Sequence, residues 1–354
     1  MVAQPLASSR ERRRDFFGWR VVGAAFLVAM FGWCVGFYGP SVFMNALHRS
    51  RGWPVSLISG AITCHFLLSA IIVARFPALH RRLGLMAVTR AGSIAAALGV
   101  LGWSAAIEPW QLYAAVLLSG AGWAATSGAA INAMVAPWFD RRRPAAISMA
   151  FNGSSVGGAI FTPLWALLIT DLGFIPASIA IGVVMVVALW WVAGRYLRPT
   201  PSRLGLAVDG DVAPETEPAA AYSAPASDPL PLRPGIAAWR ERRFATLSLA
   251  FALGLFAQIG LLTHLFSLLV PALGTAGAGL SISFVTGYAV LGRTLLGTLL
   301  PANVDRRVVG APISLCRSPG ACRCYWPTDH RFYCWFSPAL CLALVWATWF
   351  PCRR

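Results

Sequence analysis

Few side chains in this sequence could do chemistry inside its apolar stretches, and Arg293 is the sharpest of them. It lies in an apolar run from Gly279 to Leu300, about two thirds of the way along at ~1.5 Å per residue. A guanidinium at the centre of a bilayer costs roughly 2.5–3.5 kcal/mol on insertion scales, so it needs a partner. The other reading is a side chain that snorkels to the nearer interface as part of the following loop. Gln258 falls near the middle of the run from Phe244 to Val270, and Tyr38 lies deep in the run from Trp19 to Phe43. Both could hydrogen-bond a small polar solute or tie neighbouring helices together. His264 and His65 could exchange a proton or serve as packed hydrogen-bonding residues. No Asp or Glu sits well inside an apolar run, so any proton coupling falls to a histidine or to the solute itself.

Other chemistries lack their parts. Of the eight cysteines, Cys34 and Cys64 lie in apolar runs and the other six crowd between Cys316 and Cys352. Cys316, Cys322 and Cys324 show neither a paired C-x-x-C arrangement nor a His at ligand spacing, so no metal is expected. Without a nucleophile–base pair or an acidic motif in the runs, an enzyme is not expected either. The Trp and Phe residues read as packing and interfacial anchors, and no cofactor is implied. Every basic residue among the 29 Lys and Arg is Arg, which removes lysine-based mechanisms and suggests a GC-rich bacterial gene.

The elements that must position these residues follow from composition. A chain of 354 residues that is 57% hydrophobic and 12% charged, with a mean hydropathy of +0.65, exceeds what one water-soluble core can bury. The lipid bilayer must be its solvent. A formal charge of +16 raises nucleic acid as a partner, but the arginines cluster between apolar runs, as short cytoplasmic loops require. Nucleic-acid binding is therefore not expected.

A bilayer core of about 30 Å needs ~20 apolar residues per helix. Such runs extend from Trp19 to Phe43, Pro54 to Phe76, Ala87 to Ile107, Trp110 to Val135, Pro144 to Thr170 and Phe174 to Tyr196. Two more extend from Phe244 to Val270 and from Gly279 to Leu300. All must be helices, because in lipid every backbone polar group has to be satisfied within its own segment. The run after Arg12, Arg13 and Arg14 leads directly into the next, so it reads as an uncleaved first helix. Basic loops at the amino terminus, Arg75 to Arg90, Arg141 to Arg143 and Arg306 with Arg307 alternate with nearly uncharged ones; Arg49 and Arg51 break the pattern. The amino terminus is accordingly expected in the cytoplasm. Residues 198–243 are rich in Pro, Ala and Ser and read as a cytoplasmic linker.

The most specific segment is Trp138-Phe139-Asp140-Arg141-Arg142-Arg143-Pro144-Ala145-Ala146, followed by Met149 to Gly158 with Gly153 and Gly157 four apart. It resembles the signature between the fourth and fifth helices of the monocarboxylate-porter branch of the major facilitator superfamily. Pro144 suits a first helical position, and the glycines let a neighbouring helix approach closely. Tyr196-Leu197-Arg198-Pro199 after the sixth run and Gly292-Arg293 through Asp305-Arg306-Arg307 after the eighth are similar to that superfamily too. Pro77 to Gly84 departs from its motif, with Pro77 in place of Gly and Arg81 in place of Asp. The resemblance covers roughly Trp19 to Arg307.

The resemblance implies an all-α polytopic transmembrane bundle: residues 1–197 as a first six-helix repeat, 198–243 as linker and 244–307 as the start of a second repeat. It implies a secondary transporter of small organic anions such as monocarboxylates, working by alternating access, and the arginine-only composition adds the expectation of a bacterial inner membrane. Arg293 is then the anion-binding charge, its planar fork matching a carboxylate, with Gln258, Tyr38 and His264 lining the solute site and a proton as the candidate coupling ion. Some relatives carry an acid one turn before this arginine, where this chain has Ala289. The competing expectation is a non-transporting membrane protein derived from such a transporter. From about Val309 the sequence turns Cys-rich, with interspersed Pro and Arg. Residues 308–354 read as an aberrant tail with one candidate helix, as a shifted reading frame would produce.

Overall fold

A computed structural model describes residues 16–210 and 242–299. The expectations for the amino-terminal arginines, most of the linker and the Cys-rich tail lie outside these residues. Ten α-helices follow in order: α1 (Phe17–Trp33), α2 (Gly39–Arg51), α3 (Val55–Ala74), α4 (Phe76–Leu83), α5 (Leu85–Ala105), α6 (Pro109–Thr126), α7 (Gly128–Val135), α8 (Arg143–Leu172), α9 (Phe174–Tyr196) and α10 (Arg242–Leu299). A π-helical turn, Cys34–Tyr38, joins α1 to α2 in one continuous rod. Among the described residues, seven helical rods are long and apolar enough to cross a membrane.

The expected seventh run, and the eighth as far as Leu299, lie within α10, which breaks at Gly274 (φ 70°, ψ 176°). Only glycine adopts that backbone without strain, so α10 has two arms, one on each side of Gly274. The first run also continues further than expected, to Arg51, and thus carries both Arg49 and Arg51 in its last turn. Positive charge in that turn complements the negative end of the helix dipole, and a left-handed Gly52 ends the helix.

Small residues set the packing. α1 buries Ala24, Ala25, Val28 and Ala29, and α8 meets it with Gly153 and Gly157, whose missing side chains admit the carbonyls of Phe26 and Met30. Between helices in lipid, close van der Waals contact replaces the hydrophobic drive that water supplies. Gly99 and Gly122 bring α5 and α6 together in the same way. The outward faces keep large apolar side chains exposed, among them Leu67, Ile71, Leu98, Val187 and Trp191, as contact with hydrocarbon requires.

Candidate functional site

Tyr38 occupies the last position of the π turn and is buried. A Cβ on Gly158 would fall 2.6 Å from carbons of the Tyr38 ring and 2.9 Å from the Thr286 methyl group. The ring, α8 and the arm after Gly274 therefore meet at one point. An extra residue in a helix turn re-aims the side chains beside it, and π turns recur at functional positions for that reason. Gln258 is buried in the arm before Gly274, and its Nε2 finds no hydrogen-bond partner among the described residues. A buried amide without a partner costs ~1–3 kcal/mol, which marks it as a group that a polar solute could satisfy. His264 lies partly buried in the same arm. The backbone of Arg293 is helical, but its side chain lies outside the described residues.

His65 is held on both sides. Its Nε2 lies 3.1 Å from the Gly36 carbonyl in the π turn, and its Nδ1 lies 2.9 Å from Ser119 Oγ. Trp103 Nε1 donates to the same hydroxyl at 3.0 Å. The bonding assigns a proton to Nε2, with Ser119 donating to Nδ1. The network joins the π turn, α3, α5 and α6 and leaves the imidazole without an open nitrogen.

The basic end of the bundle holds a second constellation. Asp209, buried and left-handed (φ 63°), accepts hydrogen bonds from the backbone N–H of Arg141 at 2.8 Å and of Asp140 and Arg142 at 3.3 Å. Its own N–H donates to the Trp138 carbonyl at 3.0 Å. The carboxylate thus caps the turn that leads into α8, where no side chain of that turn does so. Phe16 packs edge-on against Trp138 and Phe139, and Gly210 lies against Phe16. Beside this knot, His80, Arg198 and Arg203 share a cavity of about 430 Å³ with the start of α5. Burial holds the His80 imidazole below its ordinary value.

The structure brings Tyr38 to the seam of α8 and α10 and leaves Gln258 and His264 on the arm before Gly274. Sequence reasoning missed Thr286, Ser119 and Asp209. Ser and Thr carry no signal of their own in an apolar run. The pair Asp209-Gly210 did carry one, since that dipeptide marks a turn.

A bundle of apolar helical rods with large apolar side chains on its outward faces and a basic end is a polytopic helical membrane protein. The sequence profile of the Major Facilitator Superfamily matches residues 24–352, and the chain belongs to that family. It is similar to monocarboxylate transporter 13 of Rattus norvegicus, 35% identical over 38% of this chain and 31% of the relative. It is also similar to monocarboxylate transporter 3 of the same species, 30% identical over 52% of this chain and 37% of the relative. Monocarboxylate transporter 11 of Mus musculus is 28% identical over 50% of this chain and 35% of its own length. The matched part therefore spans about a third of each of these relatives.

Proposed function

We propose that this chain carries small organic anions, monocarboxylates among them, across a membrane by alternating access between two helical halves. The observation that carries the reading is the junction of Tyr38, Gly158 and Thr286. There the first six spans meet the arm after Gly274 away from lipid, where the family's architecture places its solute. The names of the relatives supply the substrate class, and Arg293 is the cation that would meet a carboxylate with two parallel hydrogen bonds. In this reading residues 1–197 are one half, residues 198–243 a linker, and α10 begins the other half. In the same reading the basic end faces the cytoplasm, because short arginine-rich loops are retained on that side. His264 or the solute carries any coupled proton, since both nitrogens of His65 are engaged.

Uptake of radiolabelled lactate into proteoliposomes tests the reading. The expected outcome is saturable uptake that Arg293→Ala removes while the variant still purifies as a folded protein. Uptake indistinguishable from empty liposomes would favour a membrane protein without transport activity. Full uptake in the variant would return Arg293 to the role of a loop anchor.

A further inference from the structure

Pro163 lies inside α8 and has no N–H to give the carbonyl of Ala159, four residues earlier. In an apolar setting that carbonyl needs another donor. The hydroxyl of Ser283, on the arm after Gly274, donates to it at 2.6 Å. Gly279, one turn before Ser283, makes the approach possible: a Cβ there would fall 2.9 Å from Cα of Pro163. The same hydroxyl lies 3.2 Å from the Gly279 carbonyl of its own helix. One proton thus has two acceptors, one across the seam and one at home.

We infer that Ser283 is a positioning residue that sets the balance between a closed and an open seam, by lending α8 the donor that Pro163 lacks. The inference rests on the alternating-access reading above. When the seam parts, Ser283 turns back to Gly279 at little cost, as a helical serine readily does. The cost of opening falls on Ala159, whose carbonyl is left without its donor. The seam lies toward the end opposite the arginine-rich loops, because Pro163 sits twenty residues along α8 from Arg143. Ser283 therefore favours the state closed at that end and open at the basic one. A ligand or a mutation shifts such a balance only by its differential effect on the two states.

Hydrogen–deuterium exchange of the full chain in liposomes, without solute, reads the balance directly. Interhelical bonds in membranes average a value that corresponds to about a threefold change in opening. S283A is expected to speed exchange in peptides spanning residues 275–287 by about threefold. P163A restores the intrahelical donor to Ala159, so S283A should add nothing in that background. Equal effects of S283A in both backgrounds, or none in the native one, would overturn the inference. Should P163A not fold, S281A serves as the comparison, because among the described residues Ser281 bonds the Gly277 carbonyl of its own helix at 2.9 Å and no other helix. S283A must then exceed S281A, and equal effects would overturn the inference. Where lactate is carried, S283A should lower the apparent KM at the face opposite the basic end and raise it at the basic face. Lost stability alone would not move the two in opposite directions. Absence of uptake with the exchange pattern intact would count against the transport reading and leave the hydrogen bond's role standing.

Discussion

The two irregular points of α8 are satisfied in contrasting ways. At the basic end, the turn into the helix gives three N–H groups to Asp209, which reaches it from beyond α9 in the same run of spans. At Pro163, the helix takes its missing donor from Ser283 on α10. The carboxylate accepts from three N–H groups, and the backbone N–H of Asp209 is itself bonded to the Trp138 carbonyl. The hydroxyl has a second acceptor close by. A contact meant to persist is built from several bonds that must break together, whereas a contact meant to release is built from one bond with a nearby replacement.

The contrast breaks most visibly at Asp209. Asp209→Ala leaves three N–H groups of the α8 turn uncapped, and the expected loss of stability is about 2 kcal/mol, the upper range for a helix cap. Asp209→Asn keeps one acceptor oxygen and should lose less. Thermal unfolding in detergent measures both. A melting temperature unchanged by Asp209→Ala would mean that the cap does not hold the basic end, and the contrast with Ser283 would fall. A smaller effect is expected at His65, which lies inside the six spans but joins four of them. His65→Ala removes partners from Ser119 and Gly36 and should cost about 1 kcal/mol, since interhelical bonds in membranes rarely exceed ~1.7 kcal/mol. Loss in the same melt without a change in seam exchange would confirm that His65 belongs to the fixed part.

Much of this was legible in the sequence because the bilayer imposes a length. The sixth run, from Phe174 to Tyr196, matches α9 to the residue, and Pro144 does fall in the first turn of α8. Gly153 and Gly157 do admit a neighbouring helix, namely α1. What stayed hidden depends on distance along the chain or on backbone detail. Asp209 lies 67 residues from the Arg142 N–H it caps, and no local pattern links the two. The π turn at Cys34–Tyr38 leaves the apolar run unbroken, so hydropathy cannot register it. Ser283 gains its role only because Pro163 stands opposite, 124 residues being the separation between Ser283 and the carbonyl it serves.

The smallest expected effect concerns pH and sharpens the claim that the basic end is fixed. His80 packs against Phe76 with ring centroids 4.8 Å apart and the rings tilted by 41°, and its Nε2 is buried without a hydrogen-bond partner among the described residues. Desolvation lowers its pKa, and Arg198 and Arg203 from the segment after α9 line the same cavity, while Arg81 and Arg82 stand beside it on α4. The folded state therefore binds this proton less readily than the unfolded chain, whose histidines titrate near ~6.5. Between the two pKa values the unfolded state holds more protons, so stability rises with pH in that window. The contribution is complete above ~6.5 and is lost as pH falls from there toward the depressed folded value. Because the side chain is only partly buried, the slope should be shallow. His80→Phe keeps an aromatic ring against Phe76 and removes the ionisation, so its melting temperature should fall less than that of the native chain between pH 7.5 and pH 5.5. Parallel curves for the two proteins would show that His80 stays neutral in both folded and unfolded chains over this range, or is charged in both. In either case the basic end would owe none of its acid sensitivity to this cavity.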